Sequence, residues 1–352
     1  MTHKRILLAM LAALGALWAG SACAAVDAVS ITPWRGDARG AHTIAHDDYC
    51  SPGVAGIEKY ALPILEARGL KAALGVIAKE CKPADWARLK ELIAKGHEPF
   101  NHTLTHSGEL EAGTLKPVAG WDARREILDA HALMKTQTGY TYTFIGYPYD
   151  LATPETRKLV KEQPDYLGAR AGKHIYDGSM AGLNYPDDDA YFVKWDVYWT
   201  DGKWSLYKPG AAGSILIQHT EAAINSGSWS FRTMHGVADG SWEAVPLAEY
   251  TAYADYLKQQ VDAGKLWVAT PTDIIRYRET RRYCPATLTD KEIRFDTSAP
   301  DCKRYATRVT LALTASVAPK VSQNGKTLAV KAAGDKRWLV DASPLDGVLK
   351  LD

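Results

Sequence analysis

The chain has 352 residues, enough for one large domain and a small one. An apolar fraction of 46% is ordinary for a globular core. Lys and Arg number 42 against 41 Asp and Glu, a net charge of +1, and no long charge run occurs, so the pattern gives no support for nucleic acid or an anionic membrane surface as a partner.

The first predicted element is a targeting segment. His3, Lys4 and Arg5 form a basic start, an apolar run extends from Ile6 to Ala19, and Ala22-Cys23-Ala24 supplies small residues around a cleavage point. The expectation is a signal peptide over 1–24 and export to the periplasm or beyond, with no transmembrane segment in the mature chain. Acylation of Cys23 would want an aliphatic residue three positions earlier, where Gly20 stands. Cys50, Cys81, Cys284 and Cys302 then remain, an even number that points to two disulfides in an oxidising compartment. The shortest loops pair Cys50 with Cys81 and Cys284 with Cys302; free buried thiols at 50 and 81 are the alternative.

Strand-like and helix-like stretches then alternate. Strands are predicted over 42–48, 70–78, 97–103, 141–148, 165–171, 191–199, 229–236 and 265–270. Helices are predicted over 56–69, 83–96, 122–139, 153–163, 213–227 and 245–264, several opening on Pro or Thr and closing on Gly. Such alternation implies right-handed βαβ units and a parallel sheet, and the length favours a distorted (β/α) barrel of seven or eight strands. A doubly wound sheet fits less well, because no glycine-rich phosphate loop follows the first strand. Beyond Tyr283 the pattern alternates polar and apolar residues, with a turn at 323–326 and no helical stretch, so 25–283 reads as the barrel and 284–352 as a small all-β appendage.

Polar residues gather where the predicted strands end, the rim on which barrels carry their chemistry. Asp47 and Asp48 end the first strand, His102 and His106 the third, Tyr149 the fourth, Arg170 the fifth, Asp196 the sixth and His235 the seventh. Two adjacent carboxylates repel unless a cation or proton divides them. One carboxylate with two imidazoles leaves a coordination position open, the ligand set of a catalytic zinc. His-x-x-x-His presents both rings on one side if the segment turns helically; a metalloprotease would need Glu at 103, where Thr stands. Asp48 can then bind a metal while Asp47 stays free as a general base.

"HDD" at 46–48 and "HTLTH" at 102–106 resemble the first two motifs of the NodB-type polysaccharide deacetylases, carbohydrate esterase family 4. The first is usually T-[FY]-D-D and is Ala45-His46-Asp47-Asp48 here; the second, H-[ST]-x-x-H, is matched in full. The resemblance spans roughly 30–280. It implies the (β/α) barrel, Asp47 as catalytic base, and Asp48, His102 and His106 as ligands of a divalent metal, Zn2+ by ligand type. The third motif, usually R-x-P-[YF], is Gly146-Tyr147-Pro148-Tyr149, so its arginine is missing. Arg170 is the candidate to reach Asp47 in its stead, and the Tyr149 backbone N–H the candidate oxyanion donor.

A general acid completes such a site, and two histidines compete. His219 falls within a stretch of helical length, whereas His235 ends a strand, so His235 is expected to protonate the leaving amine, with Asp196 orienting it. The implied activity is removal of N-acetyl groups from an N-acetylhexosamine-containing glycan outside the cytoplasm. An O-acetyl polysaccharide esterase, a non-catalytic carbohydrate-binding protein of the same fold, and an amidohydrolase of small cyclic amides are the alternatives.

Overall fold

The structure is a computed structural model and describes residues 25–170, 182–195 and 214–351. The predicted signal peptide, Cys23, Asp196 and the end of the strand expected over 191–199 lie outside these residues. Among the described residues no helix is long and apolar enough to cross a membrane.

The strands are β1 Val26–Ile31, β2 Gly40–Tyr49, β3 Ala73–Val76, β4 Glu98–Asn101, β5 Phe144–Ile145, β6 Gly168–Ala169, β7 Leu183–Asn184, β8 Trp229–Met234 and β9 Leu266–Val268, followed by β10 Ala286–Thr289, β11 Glu292–Phe295, β12 Val309–Ala315, β13 Val321–Gln323, β14 Lys326–Thr327, β15 Val330–Ala332, β16 Arg337–Ala342 and β17 Leu349–Leu351. The helices are α1 Leu62–Glu66, α2 Pro83–Ala94, α3 Ala130–Thr138, α4 Pro154–Glu162, α5 Ile215–Ser226, α6 Leu247–Asp262, α7 Pro271–Tyr283 and α8 Pro300–Tyr305. Wider π-type turns lead into α1 and α3.

The main sheet is a curled, mixed half-barrel in the order β6-β5-β4-β3-β2-β8-β7, with β9 on the first residues of β2. Among the described residues its strand pairs are parallel except β7 with β8. β2 is buried throughout except at Asp48, because the sheet is covered on both faces. Ala41, Ala45, Phe100, Phe144 and Phe231 fill its concave side, while Ile44, Leu74, Met234 and Tyr250 pack between sheet and helices. The helix stops follow their chemistry: Gly139 and Gly227 end α3 and α5 at φ 80° and 71°, a conformation that costs glycine least.

Three expectations need correcting. Residues 191–195 form no strand; Val193 makes only a single parallel bridge to Arg170, and the short antiparallel β7 takes the place beside β8. Helix α7 was not expected, since its buried residues mix Ile274, Ile275 and Tyr277 with Arg278, Glu279 and Thr280 instead of forming a clean apolar stripe. And α8 lies inside the region read as free of helices, next to α7.

The β-rich part is a sandwich of two antiparallel sheets, β1-β12-β16-β15 and β10-β11-β17-β13-β14, around Ile293, Leu311, Leu313, Val321 and Val340. Its first strand comes from the other end of the chain: Val26–Ile31 runs along Leu311–Ala315. The predicted turn is the β13–β14 hairpin, with Asn324 and Gly325 both at positive φ. Tyr277 Oη lies 2.8 Å from Thr32 Oγ1, and Arg337 grips Asp37 at 2.9 and 3.0 Å, so the sandwich is fastened to the half-barrel. Disulfides join Cys50 to Cys81 and Cys284 to Cys302, the pairing that the shortest loops favoured.

Candidate active site

Along β2, Ala41, Thr43, Ala45 and Asp47 share the concave face, as strand alternation requires. Asp48 should therefore point the other way. It does not, because its φ is +63° and the strand turns at that residue, so both carboxylates line one cavity of about 610 Å³ at the strand ends. Gly75 on β3 makes room for Asp47: a Cβ there would stand 2.7 Å from the Phe100 ring and 3.1 Å from Asp47 Oδ1.

The two histidines follow β4 in a loop, not in the helical turn that the spacing suggested. Thr103 and His106 both adopt positive φ, at 66° and 60°. The loop is pinned by short-range bonds: Thr103 N–H donates to Asn101 Oδ1 (2.8 Å) and His106 N–H to Thr103 Oγ1 (3.1 Å). Glu126, buried at the start of the third helical segment, accepts from both Thr105 N–H (3.0 Å) and Thr105 Oγ1 (2.9 Å). Sequence reasoning missed Glu126, since nothing in the "RREIL" pattern distinguishes it from a surface carboxylate.

Asp48 Oδ1 sits 3.4 Å from His102 Nε2 and 3.3 Å from His106 Nε2, and these ligand atoms all lie within 4.8 Å of one another. The donor set fits a divalent cation. His102 Nδ1 is 2.6 Å from the carbonyl of Gly146, which can only accept, so Nδ1 carries the proton and Nε2 turns a lone pair toward the carboxylate. Asp48 Oδ1 is itself buried and has no hydrogen-bond donor. Ligands about 2.0–2.1 Å from a tetrahedral zinc stand roughly 3.3 Å apart, the spacing of Asp48 Oδ1 from each imidazole nitrogen. A neutral ring facing a carboxylate at this distance calls for a positive charge between them, from a metal ion or from a second ring proton.

Arg170, which follows β6, is buried under this cluster. Its guanidinium lies 2.8 Å from Asp47 Oδ2 and, through Nε, 2.8 Å from Asp150 Oδ1, and it donates to Thr233 Oγ1 at 3.2 Å. Asp150 was not among the predicted residues, although it is the next residue in the "YPYD" turn. Tyr149 and Asp150 both have positive φ, and the Tyr149 ring is half-exposed against His106, with centroids 5.1 Å apart.

His235 follows β8 and reaches the cavity from the opposite side, its Nε2 3.7 Å from Asp48 Oδ2. Trp242 stands edge-on to it, at 5.3 Å between centroids. His219 is buried inside α5, away from this cavity. Among the predicted residues, the structure thus brings together Asp47, Asp48, His102, His106, Tyr149, Arg170 and His235.

Burial opposes the charged form of Asp47, but Arg170, then His102 and His235, outweigh it and hold the carboxyl below its usual range. Asp48 is also held low: burial is outweighed by His102 and His106. His102 is raised despite burial, by Asp47 and Asp48, whereas burial and His102 push His106 down to about 4.

The family profile described as "Polysaccharide deacetylase" matches residues 45–164, which include both aspartates and both loop histidines. No curated protein sequence matches. A polysaccharide deacetylase candidate from Mycobacterium smegmatis superposes with a TM-score of 0.52 at 15% identity, covering 75% of this chain and 98% of that one, and shares the fold. A peptidoglycan deacetylase from Bacillus subtilis gives 0.41 at 15% identity, with 69% and 92% covered. A family 4 acetyl xylan esterase from Clostridium thermocellum, complexed with cobalt, gives 0.40 at 17% identity, with 66% and 89% covered. Residues 45–164 thus match the polysaccharide deacetylase profile, and the half-barrel that contains them shares the fold of the Mycobacterium smegmatis structure, with a β-sandwich added to it.

Proposed function

We propose that the protein is an exported, zinc-dependent deacetylase that removes N-acetyl groups from an N-acetylhexosamine-containing glycan. The observation that carries this reading is the convergence of Asp48, His102 and His106 within 4.8 Å, beside a second carboxylate, Asp47, that is buried and paired with Arg170. A divalent ion held by the three would supply a Lewis acid for the acetyl carbonyl and for water. Asp47, kept ionised by Arg170, takes the proton of the attacking water. Charge developing on the carbonyl oxygen is met by the Tyr149 backbone N–H. As the C–N bond breaks, its electron pair stays on nitrogen, and His235 supplies the proton that lets the amine leave. The half-exposed Tyr149 and Trp242 rings on the rim suit the apolar faces of sugar units. Two disulfides support an oxidising compartment.

The test is acetate release from N-acetylglucosamine oligomers and from O-acetylated xylan, after chelation and after zinc is restored. Zinc-dependent acetate from the amide substrate supports the reading. Acetate from the ester alone makes the protein an O-acetyl esterase, and none from either, with zinc bound, makes it a binding protein.

A further inference from the structure

The first motif departs from its usual form at residue 46, where histidine replaces an aromatic ring. His46 is wholly buried on the helix side of β2, opposite Met234 of β8. Its Nδ1 lies 2.6 Å from the backbone carbonyl of His235, and its Nε2 lies 2.8 Å from Tyr250 Oη on α6. A carbonyl only accepts, so Nδ1 must carry the hydrogen; Nε2 is then a lone pair, and the Tyr250 hydroxyl donates to it. One tautomer satisfies both bonds, and the ring becomes a strut from helix to strand end. A phenylalanine would remove the His46 bonds to the His235 carbonyl and the Tyr250 hydroxyl, at a cost that buried polar groups incur.

The residues beyond His235 are held as well. Gly236 N–H donates to Ser241 Oγ (2.8 Å), and Asp239 accepts from Ser241 N–H (3.0 Å), Ser241 Oγ (2.6 Å) and Gly56 N–H (2.7 Å). A Cβ at Gly236 would fall 1.9 Å from Asp239 Oδ2, so any side chain there would push Asp239 off its bonds to Ser241 and Gly56. His235 is therefore fixed on its carbonyl side by His46 and on its following amide by Ser241.

We propose that His46 is a positioning residue for His235: it fixes the peptide plane at the end of β8 and so aims the His235 imidazole into the cavity. This rests on the reading of His235 as proton donor. The consequence is selective. Amide cleavage needs the proton at the departing nitrogen, whereas a 4-nitrophenolate leaves without one.

The experiment compares wild type, His46→Phe, His46→Gln, Tyr250→Phe and His235→Ala, each loaded with zinc. We expect His46→Phe to lower kcat on an N-acetylglucosamine oligomer about 100-fold, the low end for loss of a general acid, with KM and zinc affinity little changed. On 4-nitrophenyl acetate the loss is at least tenfold smaller. His46→Gln, whose amide N–H can still donate to the His235 carbonyl, recovers part of the rate, and Tyr250→Phe lies between. Imidazole NMR of the zinc-loaded protein provides a readout that needs no turnover: His46→Phe shifts the His235 ring signals and leaves those of His102 and His106 in place. Unchanged His235 signals, or equal losses on both substrates, overturn the assignment. Should His46→Phe not fold, His46→Gln and Tyr250→Phe carry the same comparison. A wild type that releases no acetate from any glycan, or a His235→Ala variant with full amide rate, defeats the functional reading instead, and the ring signals still decide whether His46 sets His235.

Discussion

Arg170 and Asp47 meet at 2.8 Å at the base of the cavity, from the ends of two strands that three others separate in the sheet. Both are buried, and Asp150 holds the other side of the guanidinium. Removing the arginine would strand two carboxylates in the interior. Arg170→Ala is expected to destabilise the fold by about 3–5 kcal/mol, read from urea denaturation. Arg170→Lys keeps the charge but not the two-sided fork, so it should unfold later than Arg170→Ala yet remain below a tenth of wild-type deacetylation.

The two neighbouring aspartates should separate cleanly by mutation. Asp47→Asn is expected to bind zinc normally, by calorimetry, and to lose at least 100-fold in kcat, the range of a lost general base. His102→Ala removes a proposed ligand and should abolish zinc binding. If Asp47→Asn kept full rate, the base would have to be sought elsewhere.

The fold and much of the candidate site were legible in the sequence for specific physical reasons. The barrel strands are short apolar runs punctuated by Gly and Pro, and polar residues at their ends mark one rim, so Asp47, Asp48, His102, His106 and His235, which line one cavity in the structure, could be grouped without coordinates. What stayed hidden depends on long-range packing. Asp150 and Glu126 look like surface carboxylates until the chain places a buried arginine beside one and a loop threonine beside the other. The left-handed residues 48, 103 and 106 replace regular strand and helix at the site, and no propensity announces them. The pairing of β1 with β12 joins residues nearly the whole chain apart, beyond the reach of local pattern.

Glu126 gives a test of the loop's role. It holds Thr105 by two bonds, one residue before His106. Glu126→Ala should relax the loop and weaken zinc binding by about 10–100-fold, the usual effect of losing a group that orients ligands. Glu126→Gln, which still accepts through its amide oxygen, should cost less. Competition with a fluorescent chelator measures both.

Stability should fall with acid through groups away from the proposed metal site. His97 is buried, and its Nδ1 accepts from Ala72 N–H at 3.1 Å, a bond that a second ring proton would break. Burial, with Lys71 nearby, lowers its pKa to about 4. His42, buried between Ser230 and Tyr253, is lowered to about 3, by burial first and then Arg232. Between pH 6.5 and about 4 the unfolded chain therefore binds protons that the native chain refuses, and stability declines as pH falls through that window. Glu98 works the other way: burial raises it to about 7, so the native state keeps a proton there that the unfolded chain loses above pH 4.5. The difference isolates one group. His97→Asn, which can accept from Ala72 through its oxygen, should flatten the slope near pH 5 by about 1.4 kcal/mol per pH unit, by denaturation at stepped pH.

The Cys50–Cys81 disulfide ties the turn after β2 to the segment after β3. Asp48 and Cys50 both hold positive φ, at 63° and 83°, a conformation that costs non-glycine residues of order 1–3 kcal/mol each and persists only where the surroundings enforce it. The bridge supplies part of that enforcement two residues from the proposed metal ligand. It also closes a loop with a sequence separation of 31, which by chain entropy stabilises the fold by about 4 kcal/mol. The double variant Cys50→Ala/Cys81→Ala should therefore lose stability of this order and, separately, bind zinc more weakly, because Asp48 is then free to return to an extended conformation and point away. Opening Cys284–Cys302, which joins the end of α7 to α8, should lower stability without touching zinc affinity. Equal zinc affinity in the two double variants would show that the bridge near Asp48 serves the fold alone.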